Sequence, residues 1–173
     1  MRVKLSEIGG RSSAHDFRIP RQEMEKLDKS FDFDWMECHA ELSKTDEVVL
    51  LVGRYSITLK TSCNRCLTSV ELPLENEFEL NLVSEANQVA PEGDLEISIS
   101  IPDVDVYQNE EIFLSRYFED QLLLDLPYTI LCSEECEGMC SVCGANWNLT
   151  DCNCEQQTGN NPFSALKDLK LDS

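Results

Sequence analysis

Nine cysteines in 173 residues mark where this chain could do chemistry. Six of them fall in the run Cys132, Cys136, Cys140, Cys143, Cys152 and Cys154. Two more make the pair Cys63-Asn-Arg-Cys66, and Cys38 stands alone. Thiols at such short spacings, in a chain that opens without an apolar secretory core, point to metal binding rather than to a disulfide framework. The firmest motif is Cys140-Ser-Val-Cys143-Gly144. A CxxC turn brings two thiolates to one ion while backbone N–H groups face the sulfurs. The following Gly supplies the left-handed residue that such a turn wants.

Two further ligands must come from the other four thiols of the run. The expected set is Cys140 and Cys143 with one cysteine from 132/136 and one from 152/154; the pair 152/154 is the alternative. Cys-x-Cys is tight, and its sulfurs serve one metal more readily than they form an unstrained disulfide with each other. His15 and His39 lie far away in sequence, so an all-thiolate site is expected. Four thiolates close a tetrahedral Zn²⁺ site, which makes one structural zinc ion the expected cofactor, with an iron–sulfur cluster and metal-free thiols as the rivals.

Cys63 and Cys66 sit between two strand-like segments, where a hairpin turn belongs. Three readings stay open there: a second metal half-site, a redox dithiol, or a plain turn with two thiols. A thioredoxin-type pair should open a helix after a strand, and the context here is strand–turn–strand. Arg65 could lower a neighbouring thiol's pKa or serve as a surface charge.

The elements that must position these thiols are mostly strands. In 47–60, Leu51, Tyr55, Ile57 and Leu59 share a face, with Gly53 among them and Val52, Arg54, Ser56, Thr58 and Lys60 opposite. In 70–82, Val70, Leu72, Leu74, Phe78, Leu80 and Leu82 alternate with Glu71, Pro73, Glu75, Glu77 and Glu79. A period of two with one apolar face predicts antiparallel strands that cover a core on one side. Pro73 predicts an edge or a bulge. Weaker strands are expected at 1–8, 31–42 and 95–101, with a polar loop at 84–94. Pro20 could open a short helix over RQEMEKLDK. A longer helix is predicted over 110–126, capped by Asn109 and ended by Pro127, with Phe113, Tyr117 and Leu124 on its apolar stripe, widened by Ile112, Leu122, Leu123 and Leu126. A last short helix is expected near Asn161-Pro162, carrying Phe163, Leu166 and Leu169.

The expected architecture is therefore α+β: mostly antiparallel sheet with one packed helix, a small Cys-rich zinc-binding module and a C-terminal helix. The expected divisions are a leader over 1–30, a β-rich core over 31–130, the zinc module over 131–156 and a tail over 157–173.

Charge narrows the function. The chain carries 14 basic and 33 acidic side chains, a formal net charge of −19. Residues 1–29 hold seven basic and five acidic side chains, so the remainder holds seven and 28. An acidic body is a poor sequence-independent clamp for nucleic-acid phosphate and is attracted to basic proteins. Hydrophobic residues make up 42% of the chain, enough for a core. No apolar run approaches the roughly 20 residues that span a bilayer. The chain holds no Gly-rich phosphate loop, no HExxH and no GxSxG. The carboxylates read as solvated strand faces, and His15 and His39 as structural or solvated. A non-enzyme with no evident small-molecule substrate and a bacterial cytoplasmic address is expected.

Four segments together carry a family resemblance: CNRCL at 63–67, EDQLLLDLPYTILC at 119–132, CEGMCSVCGANWNLTDCNC at 136–154, and NPFSALKDLK at 161–170. In order and spacing the chain resembles the YceD-like family of large ribosomal RNA subunit accumulation proteins, with its "GLCPVCGANLN" stretch and "NPFAVLKxL" ending. Trp147 stands where that pattern carries Leu. Some members lack the C-terminal cysteines, so a metal would stabilise a local fold in this branch. The resemblance implies a non-catalytic role in accumulation or processing of 23S ribosomal RNA and in large-subunit assembly. Combined with the charge, it implies action through a basic ribosomal protein or assembly factor rather than through direct RNA binding. The Phe163, Leu166 and Leu169 stripe could dock on such a partner or pack back on its own domain.

Overall fold

A computed structural model describes residues 1–8, 12–45, 48–85 and 104–154. The expected strand at 95–101 and the C-terminal helix with Phe163, Leu166 and Leu169 lie outside the described residues, as does most of the 84–94 loop.

Seven strands and one α-helix are formed among the described residues. They are β1 (Arg2–Lys4), β2 (Ser13–Pro20), β3 (Trp35–Thr45), β4 (Val48–Ser62), β5 (Ser69–Ser84), β6 (Val104–Tyr107), β7 (Glu111–Phe113) and α1 (Leu114–Asp125). The main sheet has the order β2-β3-β4-β5-β6. Its first four strands are antiparallel, and β6 joins β5 in parallel. β1 and β7 form a separate two-stranded ribbon.

The alternation expected in β4 and β5 is what places the core. Val49, Leu51, Tyr55, Ile57 and Leu59 are buried along one face of β4, and the alternate positions from Arg54 to Lys60 are exposed. On β5, Phe78 and Leu82 are buried and every glutamate is exposed. Residues 69–80 of β5 have no strand on their far side among the described residues, so Pro73 sits on an open edge, where its missing N–H costs no ladder bond.

α1 covers the buried face. The ring of Phe118 meets Phe17 edge-on at a centroid distance of 5.3 Å and Phe78 at 5.0 Å. The space for Phe78 comes from Gly53, its cross-strand partner. A Cβ on Gly53 would lie 2.2 Å from the tip of that ring.

The helix is shorter than the predicted 110–126 and turned differently. Its buried residues are Leu114, Tyr117, Phe118, Glu119 and Leu122, whereas Leu124 is 76% exposed and Phe113 lies in β7. Asn109 does not cap it. Asn109 and Glu110 have φ of 55° and 56°, and the Glu111 N–H donates to the Gln108 carbonyl at 3.0 Å. Two consecutive left-handed residues make a tight turn of the I′ type between β6 and β7. Asparagine suits both roles, and the pairing of β7 with β1 decides between them.

The predicted short helix after Pro20 is a single 3₁₀ turn, Arg21–Glu23. Beyond it, the Arg21 guanidinium donates to the carbonyls of Met24, Leu27, Asp28 and Phe31. It thereby takes acceptors that a continuing helix would use, and Met24 and Leu27 turn into the core. The buried Glu119 carboxylate accepts the N–H groups of Lys26 and Leu27 from the same loop. Strand β2, within the segment read as a leader, pairs along its whole length with β3.

Candidate metal centres

The β4–β5 hairpin ends in a turn built by residues 63–68. The Cys63 N–H donates to the Thr68 carbonyl at 2.8 Å, and the Leu67 N–H to the Cys63 carbonyl at 3.0 Å. Leu67 has φ of 60°, and the Arg65 N–H reaches the Cys63 Sγ at 3.4 Å. The turn at 140–145 repeats this. The Cys140 N–H donates to the Ala145 carbonyl at 2.8 Å, the Gly144 N–H to the Cys140 carbonyl at 2.9 Å, and the Val142 N–H reaches the Cys140 Sγ at 3.4 Å. Gly144 has φ of 75°. The two turns are the same metal-knuckle geometry. Leucine fills in one the left-handed position that glycine fills in the other, and that position carried the sequence signal for 140–144 alone.

The chain after α1 returns to the first turn. The Asn64 N–H donates to the Ile130 carbonyl at 2.8 Å, and the Asn64 side chain accepts the Ile130 N–H at 2.6 Å. This grip delivers Cys132 and Cys136. Cys66 and Cys132 have their sulfurs 3.5 Å apart, and Cys63 and Cys136 3.7 Å apart. The four sulfurs of Cys63, Cys66, Cys132 and Cys136 all lie within 4.8 Å of one another, and so do those of Cys140, Cys143, Cys152 and Cys154.

These are two complete sets of four. From the sequence, one set chosen from six thiols is expected, with Cys63 and Cys66 as a possible half-site. The structure instead brings Cys132 and Cys136 to Cys63 and Cys66, and it brings the pair 152/154 to Cys140 and Cys143. Cys38 belongs to neither group; it is buried in the core, and burial pushes its thiol up to about 12. Neither group contains a histidine. His15 bonds Ser13, and His39 pairs with Asp16 and Glu41 on the outer sheet face.

The geometry fits a tetrathiolate ion. A disulfide needs sulfurs about 2.05 Å apart, whereas ligands about 2.3 Å from a tetrahedral Zn²⁺ sit about 3.8 Å from each other. The observed 3.5 and 3.7 Å match the second value. Thiol acidities point the same way. At Cys63, burial is opposed by the N–H groups of Cys66 and Arg65, which hold the thiol down at about 6. At Cys140, the N–H groups of Cys143 and Val142 do the same, again to about 6. The Thr68 hydroxyl lowers Cys66. Cys132, facing Cys66 and Cys136, is pushed up to about 12, and Cys154, facing Cys143, also to about 12. Each group thus holds at least one thiol that ionises readily and one whose neighbours resist a further negative charge. A cation relieves that repulsion. Either group could hold a metal ion.

Arg65 acts through its backbone N–H; its guanidinium donates to the Cys136 carbonyl at 3.0 Å. Trp147 is half-buried, and its indole N–H reaches the Cys152 sulfur at 3.4 Å. Sequence reasoning passed over Asn64, Thr68, Asn146 and Asn148, which tie these segments together. For Asn146 and Asn148 the signal was the density of Asn in the Cys-rich run; Asn64 and Thr68 carried none beyond their place beside Cys63 and Cys66.

A family model described as "Large ribosomal RNA subunit accumulation protein YceD" matches residues 51–170, which include both thiol groups. The chain belongs to the YceD family. Among curated relatives, it is 33% identical over 61 residues to the large ribosomal RNA subunit accumulation protein YCED homolog 1, chloroplastic, of Arabidopsis thaliana. That match covers 35% of this chain and 19% of the relative. With the Zea mays protein of the same name it shares 29% identity over 105 residues, covering 53% of this chain and 34% of the relative. The chain therefore spans about a third or less of the curated YceD relatives it matches. No solved structure matches it. No described helix is long and apolar enough to cross a membrane.

Proposed function

We propose that this YceD-family chain is a non-catalytic factor that supports accumulation of 23S ribosomal RNA during large-subunit assembly, acting in a bacterial cytoplasm through a basic ribosomal protein or assembly factor. The family match over residues 51–170 carries the reading. The outward sheet face supports the choice of partner. It presents Glu71, Glu75, Glu77 and Glu79 from β5, of which Glu77 is paired with Arg54. A surface of this sign steers basic proteins toward it and repels phosphate.

In this reading the thiol groups are structural zinc sites. Four thiolates leave no open coordination position for a reacting water or substrate. Cys63 has no exposed surface and Cys66 is 5% exposed, so a dithiol exchanging with solvent partners has no access.

Sedimentation of the tagged protein through sucrose gradients tests the partner. The expected result is co-migration with large-subunit precursors at low salt and release as salt rises, because screening weakens contacts between exposed charges. Salt-insensitive binding to naked RNA would contradict the reading.

A further inference from the structure

The loop that carries the second thiol group reaches one sulfur of the first directly and another through the Thr68 hydroxyl. Asn146, Trp147 and Asn148 are consecutive, and they divide their side chains between the two groups. The Asn148 amide donates to the Cys136 Sγ at 3.5 Å, and its carbonyl oxygen accepts the Glu137 N–H at 2.9 Å. The Asn146 amide donates to the Thr68 hydroxyl at 3.0 Å, and that hydroxyl contacts the Cys66 Sγ at 3.3 Å. Between them, the Trp147 indole N–H points to Cys152 in the second group. The two asparagines lock each other, with the Asn148 amide donating to the Asn146 side-chain oxygen at 2.7 Å.

We infer that each thiol group holds one divalent metal ion and that the Asn146–Asn148 segment couples them, so that the two ions bind cooperatively. The inference rests on reading the thiol groups as metal centres. Donors to a metal-bound sulfur stabilise the thiolate and fix its direction, and loss of such an outer partner typically weakens metal binding about 10- to 100-fold. Here Asn148, the donor to Cys136, and Asn146, which holds Thr68 beside Cys66, stand on a loop of 140–154 that has little apolar material of its own and that the second ion would fold. Ordering that loop therefore completes the outer shell of the first centre. Binding linkage is reciprocal, so an ion at the first centre tightens the second by the same factor.

The test is a Zn²⁺ titration of the reduced, metal-stripped full chain against a chromogenic chelator. The expected result is two ions per chain. In Asn148→Ala, one of the two ions is expected to bind about 10- to 100-fold more weakly, with circular dichroism unchanged. In C152S/C154S, the single ion left at the first centre is expected to bind more weakly than in the intact chain. Fewer than two ions in the intact chain would overturn the assignment of both groups. Two ions with affinities unchanged in Asn148→Ala would overturn the coupling and leave the two centres standing.

Discussion

Gly53 shows how one missing Cβ sets the core. Its absence lets the Phe78 ring lie across β4, where Phe118 of α1 then packs against it. Gly53→Ala is expected to cost about 1–3 kcal/mol through overpacking. Much of that loss should vanish in a Phe78→Leu background, because the clash is with the ring. Urea denaturation of both singles and the double checks this, and additive losses would contradict the contact. The glycine stood out in the sequence because it interrupts an otherwise apolar face. Its reason did not, since Phe78 lies 25 positions away and only the strand register brings them together. The thiols divide in the same way. Cys140-x2-Cys143-Gly144 is a local signal and was readable. Cys63 and Cys66 form an equivalent turn, but Leu67 masks it, and their partners Cys132 and Cys136 come from the far side of α1. Spacing along a chain cannot show a partner that the fold delivers.

At the scale of elements, alternation in β4 and β5 foretold both strands and their buried faces, because a one-sided sheet enforces a period of two. Strand β2 was missed because His15, Asp16 and Arg18 hide the two apolar residues Phe17 and Ile19 that face the core. Strand β6 was missed because four residues are too few to show a period. The start of α1 was set too early because Asn109 and Glu110 look like a helix cap and first turn, while the β1–β7 ribbon claims the residues that follow. That substitution of roles leaves Glu110 at φ of 56°, in a conformation that disfavours a side chain. Asn-Gly is the preferred pair for such a turn. Glu110→Gly is therefore expected to raise stability by about 1 kcal/mol, since a non-glycine residue in this region costs roughly 1–2 kcal/mol, part of which the extra freedom of glycine in the unfolded chain offsets. Thermal unfolding measures it, and a lowered midpoint would contradict the turn geometry.

For the whole molecule, the two thiol groups link regions that a packed core alone would leave apart. The first group joins the end of the β4–β5 hairpin to the chain emerging from α1, and the second gathers 140–154 on top of it. The sheet presents its acidic face outward, away from α1, while Leu67 and Tyr128 stand exposed near the first turn. In the proposed role, this arrangement would hold its shape while it meets a basic partner. The proposed role is tested most directly by the ratio of 23S to 16S ribosomal RNA in growing cells depleted of this protein. Depletion is expected to lower 23S selectively, and the wild-type chain to restore it. An unchanged ratio would contradict the proposed role.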